Sequence, residues 1–174
     1  MALGQVVTDK SMSFTITPSS ETLGRGLESW HWIGIGQAKP ILVTSFADVF
    51  FDAGGEIWFL DTLQGTFKKS HNSREELEAA LSTDSGKDHF LFGGFVERAV
   101  REGRNLTEGR CYDFKLHPKV GGAIQYENVE VQDFVIALNI RGQIHEQVRH
   151  LPEGTRISKF VVSNREAKPW WKLW

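Results

Sequence analysis

From Ile41 to Asp61 the chain reads ILVTSFADVFFDAGGEIWFLD, and few kinds of fold can accept that string. Ile41, Val43, Val49 and Phe51 share one face of an extended chain; Leu42, Phe46 and Phe50 share the other. Apolar side chains on both faces call for a strand covered on each side. The pattern therefore predicts one strand over Ile41–Phe51, a turn at Asp52-Ala53-Gly54-Gly55, and a returning strand over Glu56–Asp61. Gly-Gly between alternating apolar runs is a strong hairpin signal, because the favoured turns need positive φ at their centre. A third strand is predicted through Thr66-Phe67-Lys68, after Gly65.

Helical spacing then replaces alternation. Ser73 and Glu76 form a capping box, each side chain expected to satisfy the other's free backbone N–H, ahead of a buried stripe of Leu77, Ala80 and Leu81. A second helix is predicted over Phe90–Glu102, with Phe92, Val96 and Ala99 inward and Gly103 ending it. Cys111–Leu116 reads as a strand. Asp133–His150 fits either period at its start, and a helix ending before Pro152 is the preferred reading. Upstream, Leu27, Trp30 and Ile33 stand at helical spacing, and Phe14 and Ile16 suggest an edge strand. A last strand is expected over Ile157–Val162. The result is an α+β fold: a mixed, mainly antiparallel sheet packed with several helices in a single domain. Residues 1–26 form an N-terminal extension or edge strand, 27–163 the α+β domain, and 164–174 a Trp-rich tail.

Composition narrows the functional classes. The 174 residues include twelve Phe and six Trp, so aromatic packing must supply much of the core. A net charge of −2 gives no general field for nucleic acid or anionic lipid. The single cysteine, Cys111, cannot close an internal disulfide, and no basic, then apolar leader opens the chain. No run approaches the ~20 apolar residues that span a bilayer. A cytoplasmic protein with no membrane partner and no direct nucleic-acid partner is expected.

Candidate chemistry is sparse. His145 and His150 are five residues apart, which places their rings about 140° apart around a helix, so they cannot share a metal ion. His145 is read as a helix-surface or core-edge residue. Cys111, in a strand, is read as a small buried side chain rather than a nucleophile. Asp48, Asp52, Glu56 and Asp61 lie near one another in the hairpin; Asp48 shares a face with Phe46 and Phe50, yet turn chemistry favours solvated carboxylates there. No catalytic, metal or cofactor residues are assigned, and no enzymatic activity is expected.

Three groups of residues carry a resemblance. Pro40–Leu63 and Gly65 are similar to the opening of the Tdi-type immunity domain of bacterial type VI secretion systems, through Thr44, Phe46, Asp48, Phe50, Trp58, Leu60, Asp61 and Gly65. Ala47 stands where that family commonly has Gly, which implies a backbone needing no positive φ. Gly109-Arg110-Cys111-Tyr112, Gly121-Gly122 and Glu127-Asn128 resemble later segments of the family. Gly142-Gln143-Ile144-His145-Glu146-Gln147-Val148, ending at Leu151-Pro152, resembles its most specific signature. The resemblance spans about residues 28–158. It implies a non-enzymatic protein that binds and neutralises a cognate toxin, a nuclease, in the producing cell.

Such a protein works by occlusion, and acidic side chains suit a basic nuclease site. The partner-binding candidates are Glu75 and Glu78, with Glu76 beside them, and Glu127 and Glu130, with Asp133. Trp170, Trp171 and Trp174 are a third group, since exposed indoles favour interfaces. An interaction or scaffold protein without a toxin partner, forming a homodimer through this tail, is the alternative. A hydrolase or metal-dependent enzyme using His145 or Cys111 is the third class.

Overall fold

The Gly-Gly turn forms as its chemistry requires. Gly54 and Gly55 have φ of 72° and 94°, Asp52 accepts the Gly55 N–H at 2.9 Å, and Val49 pairs with Leu60 at the far end of the hairpin. This hairpin is the centre of a five-stranded antiparallel meander in the computed structural model, which describes residues 12–152, 155, 157 and 159–162. The strands are β1 (Thr15–Ile16), β2 (Lys39–Thr44), β3 (Val49–Ala53), β4 (Glu56–Asp61) and β5 (Thr66–His71), in spatial order β1-β2-β3-β4-β5. The edge strand expected around Phe14 and Ile16 is β1.

The single strand expected over Ile41–Phe51 is two strands, β2 and β3, folded back on each other. Thr44 makes the reversal: its N–H donates to Asp48 O, while its Oγ1 accepts the N–H groups of Phe46 and Asp48. Ala47 lies at φ 65°, so positive φ is needed after all, at a steric cost that Gly avoids. The pattern hid the turn because Phe46 and Ala47 are themselves buried in it.

Helices cover both faces of the sheet. One side carries α2 (Arg74–Ser82), α3 (Asp84–Leu91) and α4 (Gly93–Arg101), which bury Leu77, Leu81, Leu91, Val96 and Ala99 in one cluster with Phe46, Phe50 and Ile57. The other side carries α1 (Ser20–Leu27), a 3-10 turn over Glu28–Ile33 and α5 (Phe134–Val148); there Leu23, Trp30, Phe134, Ala137 and Leu138 meet Val43, Val49, Phe51 and Leu60. The helix α1, capped by Ser19, lies where only an extension or edge strand was expected.

Ser73 caps α2 as expected, but the Glu76 carboxylate takes the N–H of Asn72, one residue further out. The helix expected over Phe90–Glu102 is broken: Phe92 sits at φ 52° between α3 and α4, and Asp88 accepts the Gly94 N–H. The strained Phe92 ring is wedged among Phe46, Phe95 and Phe114, at 4.7, 5.8 and 6.0 Å. A second sheet pairs β6 (Arg110–Phe114) with β7 (Val129–Asp133), a strand the apolar spacing did not announce. Asp133 then caps α5 by accepting the Ile136 N–H. The strand expected over Ile157–Val162 is not formed at the described residues 157 and 159–162. Instead the Gln147 amide holds both the N–H and the C=O of Val161. The architecture is a single α+β domain, and no helix among the described residues is long and apolar enough to cross a membrane.

Candidate functional site

The polar residues of the two turns and of α5 meet inside the molecule. Arg141 is 1% exposed, in the middle of the α5 face that packs on both sheets. Its guanidinium has five N–H groups, and all five are used. Nη1 donates to Phe46 O in the β2–β3 turn and to Thr62 Oγ1, at 2.6 Å, after β4. Nη2 donates to Tyr112 O at 3.2 Å and to Asp113 Oδ1 at 2.8 Å, and Nε donates to the same Asp113 oxygen at 3.1 Å. One side chain thereby ties together both sheets and the helix.

Asp48 completes the cluster. It is 2% exposed, and its Oδ1 accepts the N–H of Thr62 at 2.8 Å and the Thr62 hydroxyl at 2.7 Å. Burial, then the nearby charge of Asp61, push its carboxyl up to about 7 against the opposing pull of Arg141. The solvated-turn reading of Asp48 is therefore overturned. It holds for its neighbours: Asp52 pairs with Arg74 at 2.9 Å, Glu56 with Lys69 at 2.6 Å, and Asp61 accepts the N–H groups of Leu63 and Gln64.

His145 is not a surface residue. It is 3% exposed, and Nε2 donates to Thr62 O at 3.0 Å, which fixes the tautomer because a carbonyl only accepts. Its ring lies over Gly65, where a Cβ would collide with it, and meets the His117 ring edge-on at 5.2 Å. His117 Nδ1 accepts the Lys119 N–H at 3.2 Å, which leaves the proton on Nε2, a buried atom with no well-formed hydrogen bond among the described residues. Burial holds both imidazoles neutral, His145 down to about 4 and His117, also beside Arg141, down to about 3. Cys111 is fully buried, and burial pushes its thiol up to about 12. Among the described residues no three His, Cys, Asp or Glu side chains are grouped to hold a metal ion.

The sequence-derived partner candidates are scattered. Glu75 and Glu78 are exposed on α2, and the neighbouring Ser73 hydroxyl lowers the Glu75 carboxyl. Glu127 pairs with Arg98 of α4 at 3.1 Å, and Glu130 stands opposite Asp113 in the β6–β7 register. Asp133 serves as the α5 cap. Trp170, Trp171 and Trp174 lie outside the described residues. Sequence reasoning missed Arg141, Thr62, Asp113 and His117. The one available sign was Arg141 itself, a lone charge in the apolar run FVIALNIRGQI.

No family model matches the chain, and no curated protein matches it either. Among solved structures, the crystal structure of Atu4351 from Agrobacterium tumefaciens is similar, at 15% identity and a TM-score of 0.47. The match covers 74% of this chain and 65% of that one, so this chain spans less than two thirds of its length. A similarity that remote transfers no function.

Proposed function

We propose that this chain is a cytoplasmic immunity protein that binds a cognate toxin, a nuclease, and neutralises it by covering its active site. The observation that supports the reading best is where the family-like residues sit. Thr44, Asp48, Gly142 and His145 are buried, and Asp61 and Gly65 sit at the β4–β5 turn against them. A Cβ on Gly142 would come within 2.7 Å of Ser29 O, so that glycine sets how closely α5 approaches the 3-10 turn. The resemblance is thus carried by side chains that hold the framework. The outer surface is left free to match one partner, which is how specificity between paired proteins is set.

The competing enzymatic reading needs His145 or Cys111 to meet a substrate. Both are sealed beneath the surface, and a thiol pushed up to about 12 is a poor nucleophile. Occlusion asks only for a rigid face of ~800 Å². Exposed Glu75 and Glu78 are available for such a contact, whereas Glu127 is already engaged by Arg98.

The decisive test is co-expression with the product of the gene immediately upstream, which the proposal expects to be a nuclease. Protection of the host and co-elution of a stoichiometric complex are expected. Toxicity undiminished by this chain would refute the proposal.

A further inference from the structure

The segment between β6 and β7, Lys115–Asn128, is a loop braced more heavily than a connection needs. Asn128 spans its base: Oδ1 accepts the Leu116 N–H at 3.1 Å, and Nδ2 donates to both Leu116 O and Ala123 O, at 2.8 and 2.9 Å. The Asn128 backbone carbonyl accepts the Lys115 N–H at 2.8 Å. Inside the loop, the N–H groups of Val120 and Gly122 both return to His117 O. Gly121 adopts φ 97°, and Gly122 is pressed against the Leu116 carbonyl so closely that no side chain fits there. From beneath, His117 and Tyr126 anchor the loop in the core.

Such bracing should let a loop hide its apolar side chains. Leu116 and Ile124 are instead 49% and 48% exposed. They spring from neighbouring points, because one Asn128 nitrogen bonds the carbonyls of residues 116 and 123. Exposed Lys115 and Lys119 flank them. The acidic neighbour, Glu127, is paired with Arg98, so the charge offered around the apolar pair is positive.

We infer that this loop is the anchor by which the chain grips its partner outside the basic active site, Leu116 and Ile124 entering an aliphatic pocket whose rim carries carboxylates facing Lys115 and Lys119. The inference rests on the immunity reading and adds where the contact is made. A pre-ordered loop spends little conformational entropy on binding, which favours tight association from a small apolar contact. The lysine flank adds speed and salt dependence rather than most of the affinity.

The test uses the full chain and the product of the gene immediately upstream. A Leu116→Asp/Ile124→Asp double variant alters only exposed positions, so its thermal unfolding should match the parent, and that measurement accompanies the binding one. Its affinity for the toxin should fall at least ~100-fold and protection should be lost; Lys119→Glu should weaken binding ~10-fold, mostly through slower association at low salt. If the parent binds and protects while the folded double variant stays within ~3-fold of it, the loop is not the anchor and the immunity reading stands. If the parent itself neither binds nor protects, both fall.

Discussion

Two clusters in this molecule are built from the same groups and differ in where they lie. Arg98, Glu102, Arg104 and Glu127 form one at the surface of α4, over the buried ring of Tyr126: Arg98 reaches Glu102 at 3.0 Å and Glu127 at 3.1 Å, and its guanidinium stands 4.0 Å above that ring. Arg141, Asp113, Thr62 and Asp48 form the other, between the two sheets and α5. At the surface, water can replace any partner that is lost. In the interior nothing can, so every donor of Arg141 must be matched, and the acceptors come from the β2–β3 turn, the turn after β4 and strand β6. The buried cluster therefore fixes the relative placement of the elements, while the exposed one decorates them.

The largest difference should appear on truncation. Arg141→Ala leaves Asp48 and Asp113 without their cation and two backbone carbonyls unsatisfied, and should cost about 3–5 kcal/mol or prevent folding. Urea unfolding measures it directly. A cost no greater than that of Arg98→Ala would mean that burial does not set the two clusters apart.

Gly65→Ala sharpens it from the side of shape. The residue has φ 68° and faces the His145 ring, so the added methyl strains the backbone and pushes His145 off Thr62 O. About 1–3 kcal/mol of stability should be lost. Gly54→Ala, equally left-handed at φ 72° but with open space around it, should cost less, since only the backbone term applies.

The pH dependence separates the buried groups from one another. Asp48, raised to about 7, binds its proton more tightly in the fold, so its contribution is full below pH ~4 and is lost as pH rises toward 7. His117 and His145, lowered to about 3 and about 4, bind protons more tightly unfolded, so their contribution is present above pH ~6.5 and is lost as pH falls through the folded values. Between pH 4.5 and 6 the two histidines outweigh the one carboxyl, so these three groups together make stability climb with pH by about one proton, in the same direction as His71, whose imidazole burial also lowers. Asp48→Asn removes the opposing contribution and should steepen the observed slope by about one proton. An unchanged slope would mean that Asp48 is ionised in the fold.

The smallest effect is expected at the surface. Arg98→Ala and Glu127→Gln should unfold at a urea midpoint indistinguishable from the parent at 0.15 M salt.

Much of the architecture was legible because its causes are local. Gly54-Gly55 demand a reversal, Ser73 caps the helix behind it, and the 3.6-residue spacing of Phe134, Leu138 and Ile144 outweighed their partial alternation. The site was far less legible. Arg141 meets Thr62 and Phe46 across 79 and 95 residues of chain, and no local pattern announces such a pairing. The turn at Ser45–Asp48 escaped for a related reason: a turn normally shows itself by polar residues, and here Phe46 and Ala47 face the core.

Taken alone, the amino-acid order determined the strands and helices whose free energy is decided within a few residues, by side-chain period, caps and glycine turns. Only the tertiary structure decided that Ala47 and Phe92 take left-handed backbones, that Asp48 tends to keep a proton, and that His117 and His145 stay neutral. Each of those depends on a low-dielectric interior assembled from distant segments. Desolvation and packing act on atoms close in space, whatever their separation along the chain.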